Sequence, residues 1–116
     1  FPAGGSNDVI ARILGQRLSE IWKQPVVIEN RGGAGGNIGG EVIARADADG
    51  YSLLLAAPGP LAINPSLFQR MHYDPLKDFA PIALTASVPI VLAVNPQVRA
   101  TTVAELIALA KAEPGK

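Results

Sequence analysis

Between residues 6 and 22 the apolar side chains Ile10, Ile13, Leu14, Leu18 and Ile21 recur three and four positions apart, with Arg12, Gln16, Arg17 and Glu20 between them. That spacing puts them on one face of a 3.6-residue period and predicts an amphipathic helix. Ser6 or Asn7 is placed to cap its start, and Asp8 in the first turn complements the positive end of the helix dipole. The pattern then changes. Pro25 opens Val26-Val27-Ile28-Glu29, a short β-branched run that ends at Asn30-Arg31-Gly32-Gly33 and predicts a buried strand leading into a glycine-rich loop. Helical spacing returns over residues 37–45, with Ile38, Val42, Ile43 and Ala46 on one side and Glu41 and Arg45 on the other.

Asp49-Gly50 makes a turn, and residues 52–57 are apolar without alternation, as in a strand covered on both faces. Pro58-Gly59-Pro60 ends that run, and Asn64-Pro65-Ser66-Leu67-Phe68 predicts one short helical turn. Two further β-rich stretches occupy residues 81–86 and 90–94. Thr102 followed by Glu105 forms a capping box, and Val103, Leu106, Ile107 and Ala110 form the stripe of a last helix that Pro114-Gly115 stops. Strands alternating with helices predict an α/β layer structure, a largely parallel sheet flanked by helices.

Composition narrows the function classes. Across 116 residues, Lys plus Arg and Asp plus Glu number 10 each, so no bulk field favours nucleic acid or an anionic surface. Trp22 and the few other aromatics make no stacking platform for bases. With no cysteine there is no disulfide framework, thiolate metal site or thiol nucleophile. No apolar run approaches the roughly 20 residues a membrane span needs. Gly 12 and Pro 10 exceed the usual share of roughly 12%, and the surplus belongs in loops. The chain opens on a loop, Phe1-Pro2-Ala3-Gly4-Gly5, and closes on a helix stop, so both ends read as interruptions of a longer polypeptide.

The candidate chemistry sits mainly in glycine-rich loops. Gly33, Gly35 and Gly39 give GxGxxxG, which fails the dinucleotide spacing, and Ala56-Ala57 ends the next strand where a ribose-binding acid belongs. Tight turning and close helix packing account for that loop. Phe1-Pro2-Ala3-Gly4-Gly5-Ser6-Asn7-Asp8 is the better site, because two glycines, a hydroxyl and an amide precede a helix N-terminus whose free amides favour a carboxylate or another anion. An ordinary capped helix after a turn is the competing explanation. The same segment resembles a nucleophile elbow, but Asp8 stands in the last position of GxSxG and His72 is the single histidine. His72 and Asp74 read as a solvated loop pair. Asp47-Ala48-Asp49-Gly50 lacks the glutamate that closes a calcium loop, since Pro58 holds that position. Glu20, Glu41, Glu105 and Glu113 lie on polar helix faces as solvating charges.

Seven segments in chain order carry a resemblance: Phe1 to Asp8; Pro25-Val26-Val27-Ile28-Glu29-Asn30-Arg31; Gly33-Ala34-Gly35-Gly36-Asn37-Ile38-Gly39; Asp49-Gly50-Tyr51-Ser52-Leu53-Leu54; Ala62-Ile63-Asn64-Pro65-Ser66-Leu67; Asp78-Phe79-Ala80-Pro81-Ile82; and Glu105-Leu106-Ile107-Ala108. Together they resemble the Bug-type solute receptors, the extracytoplasmic binding proteins of tripartite tricarboxylate transporters.

The resemblance implies a two-lobed periplasmic receptor of the type II binding-protein fold. Such a receptor closes like a hinge on a small carboxylate and presents it to membrane subunits, with no catalysis, cofactor, metal or nucleic acid. Residues 1–116 would form most of lobe one, lacking the first strand and the second lobe, with Phe1 just after the first strand and Lys116 near the crossing between lobes. Removing central strands leaves backbone groups unpaired, so the chain alone is expected to be unstable or to self-associate. Ligand-binding residues carried over by the resemblance are Phe1, Gly4, Gly5, Ser6, Asn7 and Asp8 from the first loop, then Ala57, Pro58 and Gly59 after the third strand. Ala56-Ala57-Pro58-Gly59-Pro60 stands where many relatives carry a hydroxyl or an asparagine, which favours a less polar ligand portion. Gly32 replaces a common proline and loosens the glycine-rich loop. Two rivals remain: a lobe of a doubly wound α/β enzyme whose catalytic residues lie elsewhere, and an interaction module whose open sheet edges bind other strands.

Overall fold

The first helix, α1 (Ser6–Trp22), covers the segment its periodicity predicts. Ile10, Leu14 and Leu18 are half-buried, whereas Ile13 and Ile21 of the same stripe are exposed. Lys23 in the left-handed region ends the helix. Gly15 is buried where residues 26–28 cross α1, and a Cβ there would stand 3.0 Å from Ile28 Cδ1 and 3.4 Å from Val26 Cγ1. Ser19 Oγ strengthens the crossing by donating to the Gly15 carbonyl (2.8 Å) and accepting from the Val26 N–H (2.9 Å).

The computed structural model describes residues 1–115, and these divide into two units, Phe1–Ala86 and a second from Ser87 onward. The expected lobe crossing near Lys116 lies outside the described residues. In the first unit a 3-10 turn, Ala34–Gly36, leads into α2 (Asn37–Ala44). Four successive residues, Gly33, Ala34, Gly35 and Gly36, have positive φ, and a path of that kind explains why three of them are glycine. A π-turn, Gly59–Ile63, runs directly into α3 (Asn64–Leu67). The π-turn was hidden in the sequence because Pro58-Gly59-Pro60 reads as a stop.

In the second unit α4 (Val103–Ala112) begins at the expected capping box. Thr102 Oγ1 accepts from the Glu105 N–H at 3.2 Å, and Glu105 Oε2 accepts from the N–H groups of Thr101 (2.7 Å) and Thr102 (3.3 Å). Its half-buried positions are Leu106 and Leu109, while Val103 and Ile107 of the expected stripe stay exposed.

The helical half of the α/β expectation is therefore present, but its parallel sheet is not formed: no β-strand occurs among the described residues. The reason is the absence of neighbours. A strand exists only as part of a ladder, and residues 26–29, 52–57 and 81–86 of the first unit make no backbone–backbone hydrogen bonds with one another. The first run packs on α1, and residues 54–57 are half-buried. Residues 81–94 are exposed throughout, with Leu84 at 89% and Ile90 at 99%.

Candidate functional site

Three loops of the first unit converge on Gly36. A Cβ at this position would lie 2.8 Å from Phe1 Cζ and 3.2 Å from Pro60 Cγ, so the opening loop and the turn after residue 57 both rest on the glycine-rich loop. Pro2 packs against Gly32, and the Phe1 main-chain nitrogen donates to the Arg31 carbonyl at 3.0 Å. The two separate groups of expected ligand residues thus share one support.

The opening loop is held by Asp8. Its Oδ2 accepts from the Gly4 N–H (2.9 Å) and Arg12 Nε (3.1 Å), while Oδ1 lies 3.0 Å from Arg12 Nη2. Arg12 also reaches Asn30 Oδ1 at 3.4 Å, which links the loop to the end of the first β-rich run. The Arg12 hydrogen bond, followed by that from Gly4, lowers the Asp8 carboxyl to about 2. It remains a carboxylate at every physiological pH although only 6% exposed.

The helix start differs from the expected cap. Gly5 occupies the N-cap position and no side chain caps α1, so neither Ser6 nor Asn7 does so. Asp8 wins because its carboxylate bonds Gly4 and Arg12 simultaneously, closing the loop from inside the first turn. A helix cannot satisfy the N–H groups of Ser6, Asn7 and Asp8 internally. Beside them, Asn7 Nδ2 is shielded from solvent with no hydrogen-bond partner among the described residues. The arrangement is a cluster of N–H donors at the positive end of a helix dipole, chemistry suited to an anion.

Ala57 is half-buried, Pro58 is exposed and Gly59 begins the π-turn. A hydrogen-bonded cluster that sequence reasoning missed lies behind this turn. Asn64, 5% exposed, donates from Nδ2 to the Gly35 carbonyl (3.2 Å) and to Asn37 Oδ1 (2.6 Å). Tyr73, 7% exposed, donates to the Pro60 carbonyl at 2.8 Å and stands 3.2 Å from Asn37 Oδ1. Burial pushes the Tyr73 phenol above its ordinary value and keeps it a donor. Its ring lies on Gly40, where a Cβ would be 2.6 Å from Cζ, and meets Phe79 edge-on with centroids 5.4 Å apart.

The remaining candidates separate. His72 Nδ1 stands 3.9 Å from Glu41 Oε1 rather than beside Asp74, and Glu41 also pairs with Arg45 at 2.6 Å. Asp74 pairs with Lys77 at 3.0 Å, which lowers its carboxyl. A cleft of about 210 Å³ beside α2, lined by residues including Glu41 and His72, contains none of the expected ligand residues. Among the described residues no helix is long and apolar enough to cross a membrane.

The family described as tripartite tricarboxylate transporter family receptor matches this chain over residues 10–116. The chain belongs to that family. It is a family of receptors and not of enzymes, which removes the enzyme-lobe rival. Protein BugT of Bordetella pertussis is 45% identical over 117 residues, covering 100% of this chain and 36% of the relative. The UPF0065 protein in the tcbD-tcbE intergenic region of Pseudomonas sp. strain P51 is 39% identical over 116 residues, covering 100% of this chain and 34% of the relative. The solved structure of R. palustris Rpa4515 with adipate is 41% identical, with a TM-score of 0.87 over 98% of this chain and 38% of that one. The chain therefore spans about a third of the length of the curated relatives it matches.

Proposed function

We propose that this receptor chain is most of the first lobe of a two-lobed periplasmic solute-binding protein that captures a small carboxylate and delivers it to the membrane subunits of a tripartite transporter. The observation that carries the reading is the convergence of the opening loop and the turn at residues 57–60 on Gly36, beside an uncapped helix start. Family membership and the likeness to an adipate-bound structure support it.

In this reading the ligand carboxylate is held by main-chain amides of the loop containing Phe1, Gly4, Gly5, Ser6, Asn7 and Asp8, and of Ala57, Pro58 and Gly59, where a residue has one to offer. Pro58 contributes shape, since proline has no N–H. The Asp8 side chain and the Gly4 N–H are engaged with each other, so their part is to fix the shape of the loop rather than to bind directly. Binding at the carboxyl ends of strands fits the general behaviour of open α/β sheets. The four unpaired runs are strands of a sheet completed by the remainder of the receptor polypeptide.

A thermal-shift screen of mono-, di- and tricarboxylates on this chain and on the complete receptor tests the reading. A ligand at 100 times its dissociation constant raises stability by about 2.7 kcal/mol. The complete receptor is expected to shift with one class of acid and the 116-residue chain to show no such shift. No shift of the complete receptor with any carboxylate would contradict the proposed ligand class.

A further inference from the structure

We propose that Asn64 and Tyr73 are positioning residues that clamp the ligand-binding turn to the glycine-rich loop, an inference that rests on residues 57–59 forming part of the ligand site. Asn64 grips the turn through two chemistries. Its backbone N–H closes the π-turn on the Gly59 carbonyl, and its side-chain Nδ2 reaches across to the Gly35 carbonyl at 3.2 Å. Tyr73 grips the next residue, donating to the Pro60 carbonyl at 2.8 Å. Both groups meet at Asn37 Oδ1, on the first turn of α2.

Donor arithmetic fixes these roles. Only an N–H can face the Gly35 carbonyl, so Asn64 presents Nδ2 there and its second proton goes to Asn37, which must present Oδ1. Tyr73 has one proton, and the shorter contact directs it to Pro60. Each of these buried donors has an acceptor, so the cluster is rigid where it touches the turn. π-turns are uncommon and frequently lie at functional sites. This one is held by Tyr73 at Pro60, one residue beyond Gly59, and closed by Asn64 at its end.

The test uses the complete receptor carrying Tyr73→Phe, Asn64→Asp or neither, with Thr102→Ala as a control in the other unit. Tyr73→Phe keeps the ring on Gly40 and Phe79 and removes only the hydroxyl, so the fold is retained. Two readouts are taken: amide hydrogen exchange of residues 57–63 without ligand, and the dissociation constant for adipate. The clamp variants are expected to speed exchange in that segment and to weaken adipate binding about tenfold, as loss of one buried hydrogen bond predicts. The control is expected to change neither. Unchanged exchange in both variants overturns the clamp. Faster exchange with unchanged affinity overturns the positioning role. A wild-type receptor that binds no carboxylate overturns the ligand reading and the positioning role with it, while exchange still decides whether the clamp exists.

Discussion

The surroundings of Tyr73 and the run at residues 81–94 are both rich in apolar side chains, yet one is closed and the other bare. Around Tyr73, aromatic packing on Gly40 and Phe79 is joined to hydrogen bonds that satisfy the buried donors of Asn64 and Tyr73. At residues 81–94, Leu84 and Ile90 are almost wholly exposed. The difference lies in the source of the partners. Asn64 and Tyr73 find their partners at Gly35, Asn37 and Gly40 within this chain, whereas an interior strand of a parallel sheet needs neighbours on both edges and cover on both faces. This chain spans about a third of its relatives' length, and the proposed receptor supplies those neighbours from the remainder.

The largest expected effect separates the two regions outright. In the complete receptor, residues 81–94 should gain strong amide-exchange protection, while the isolated chain should lack it and either melt without cooperativity or self-associate. A cooperative melt of a monodisperse 116-residue monomer would break the comparison. On the closed side, Gly40→Ala forces a Cβ to 2.6 Å from the Tyr73 ring. Overpacking of this kind costs about 1–3 kcal/mol, measurable by denaturant unfolding of the complete receptor. Thr102→Ala, which removes the acceptor for the Glu105 N–H, should cost about 1 kcal/mol and leave the Tyr73 cluster unaffected.

The smallest expected effect is local and depends on pH. The Asp8 carboxyl is lowered from 3.8 to about 2, so its stabilising contribution is complete above the unfolded value and is lost as pH falls through the folded one. Exchange of the Gly4 amide, corrected for the intrinsic pH dependence of exchange, should hold steady above about pH 4 and quicken toward pH 2. In Asp8→Asn that pH step should vanish. A step of equal size in the variant would show that another group holds the loop.

How much of this was legible follows from the same distinction. Helices α1, α2 and α4 follow from local spacing, and the Thr102–Glu105 capping box follows from three consecutive positions of offset. The opening loop was recognisable as a candidate anion site because glycines and small polar residues precede a helix. Its closure was not, since Asp8 abandons a simple dipole role to bond Gly4 and Arg12. The second group, Ala57, Pro58 and Gly59, came only from the resemblance, because nothing in an apolar run ending in Pro-Gly-Pro signals a ligand. The clamp was invisible because Asn37 lies 27 positions from Asn64 and 36 from Tyr73. The β-branched runs carry strand propensity, but propensity cannot provide a neighbouring strand.

The most direct measurement is a crystal structure of the complete receptor grown with the carboxylate that gives the largest shift in the thermal screen. A carboxylate is expected with oxygens about 2.7–3.2 Å from main-chain N–H groups in both the opening loop and the segment at residues 57–59. Residues 26–29, 52–57, 81–86 and 90–94 are expected to be paired in one sheet. An acid bound away from these two segments, or those runs still unpaired in the complete receptor, would contradict the proposed receptor lobe.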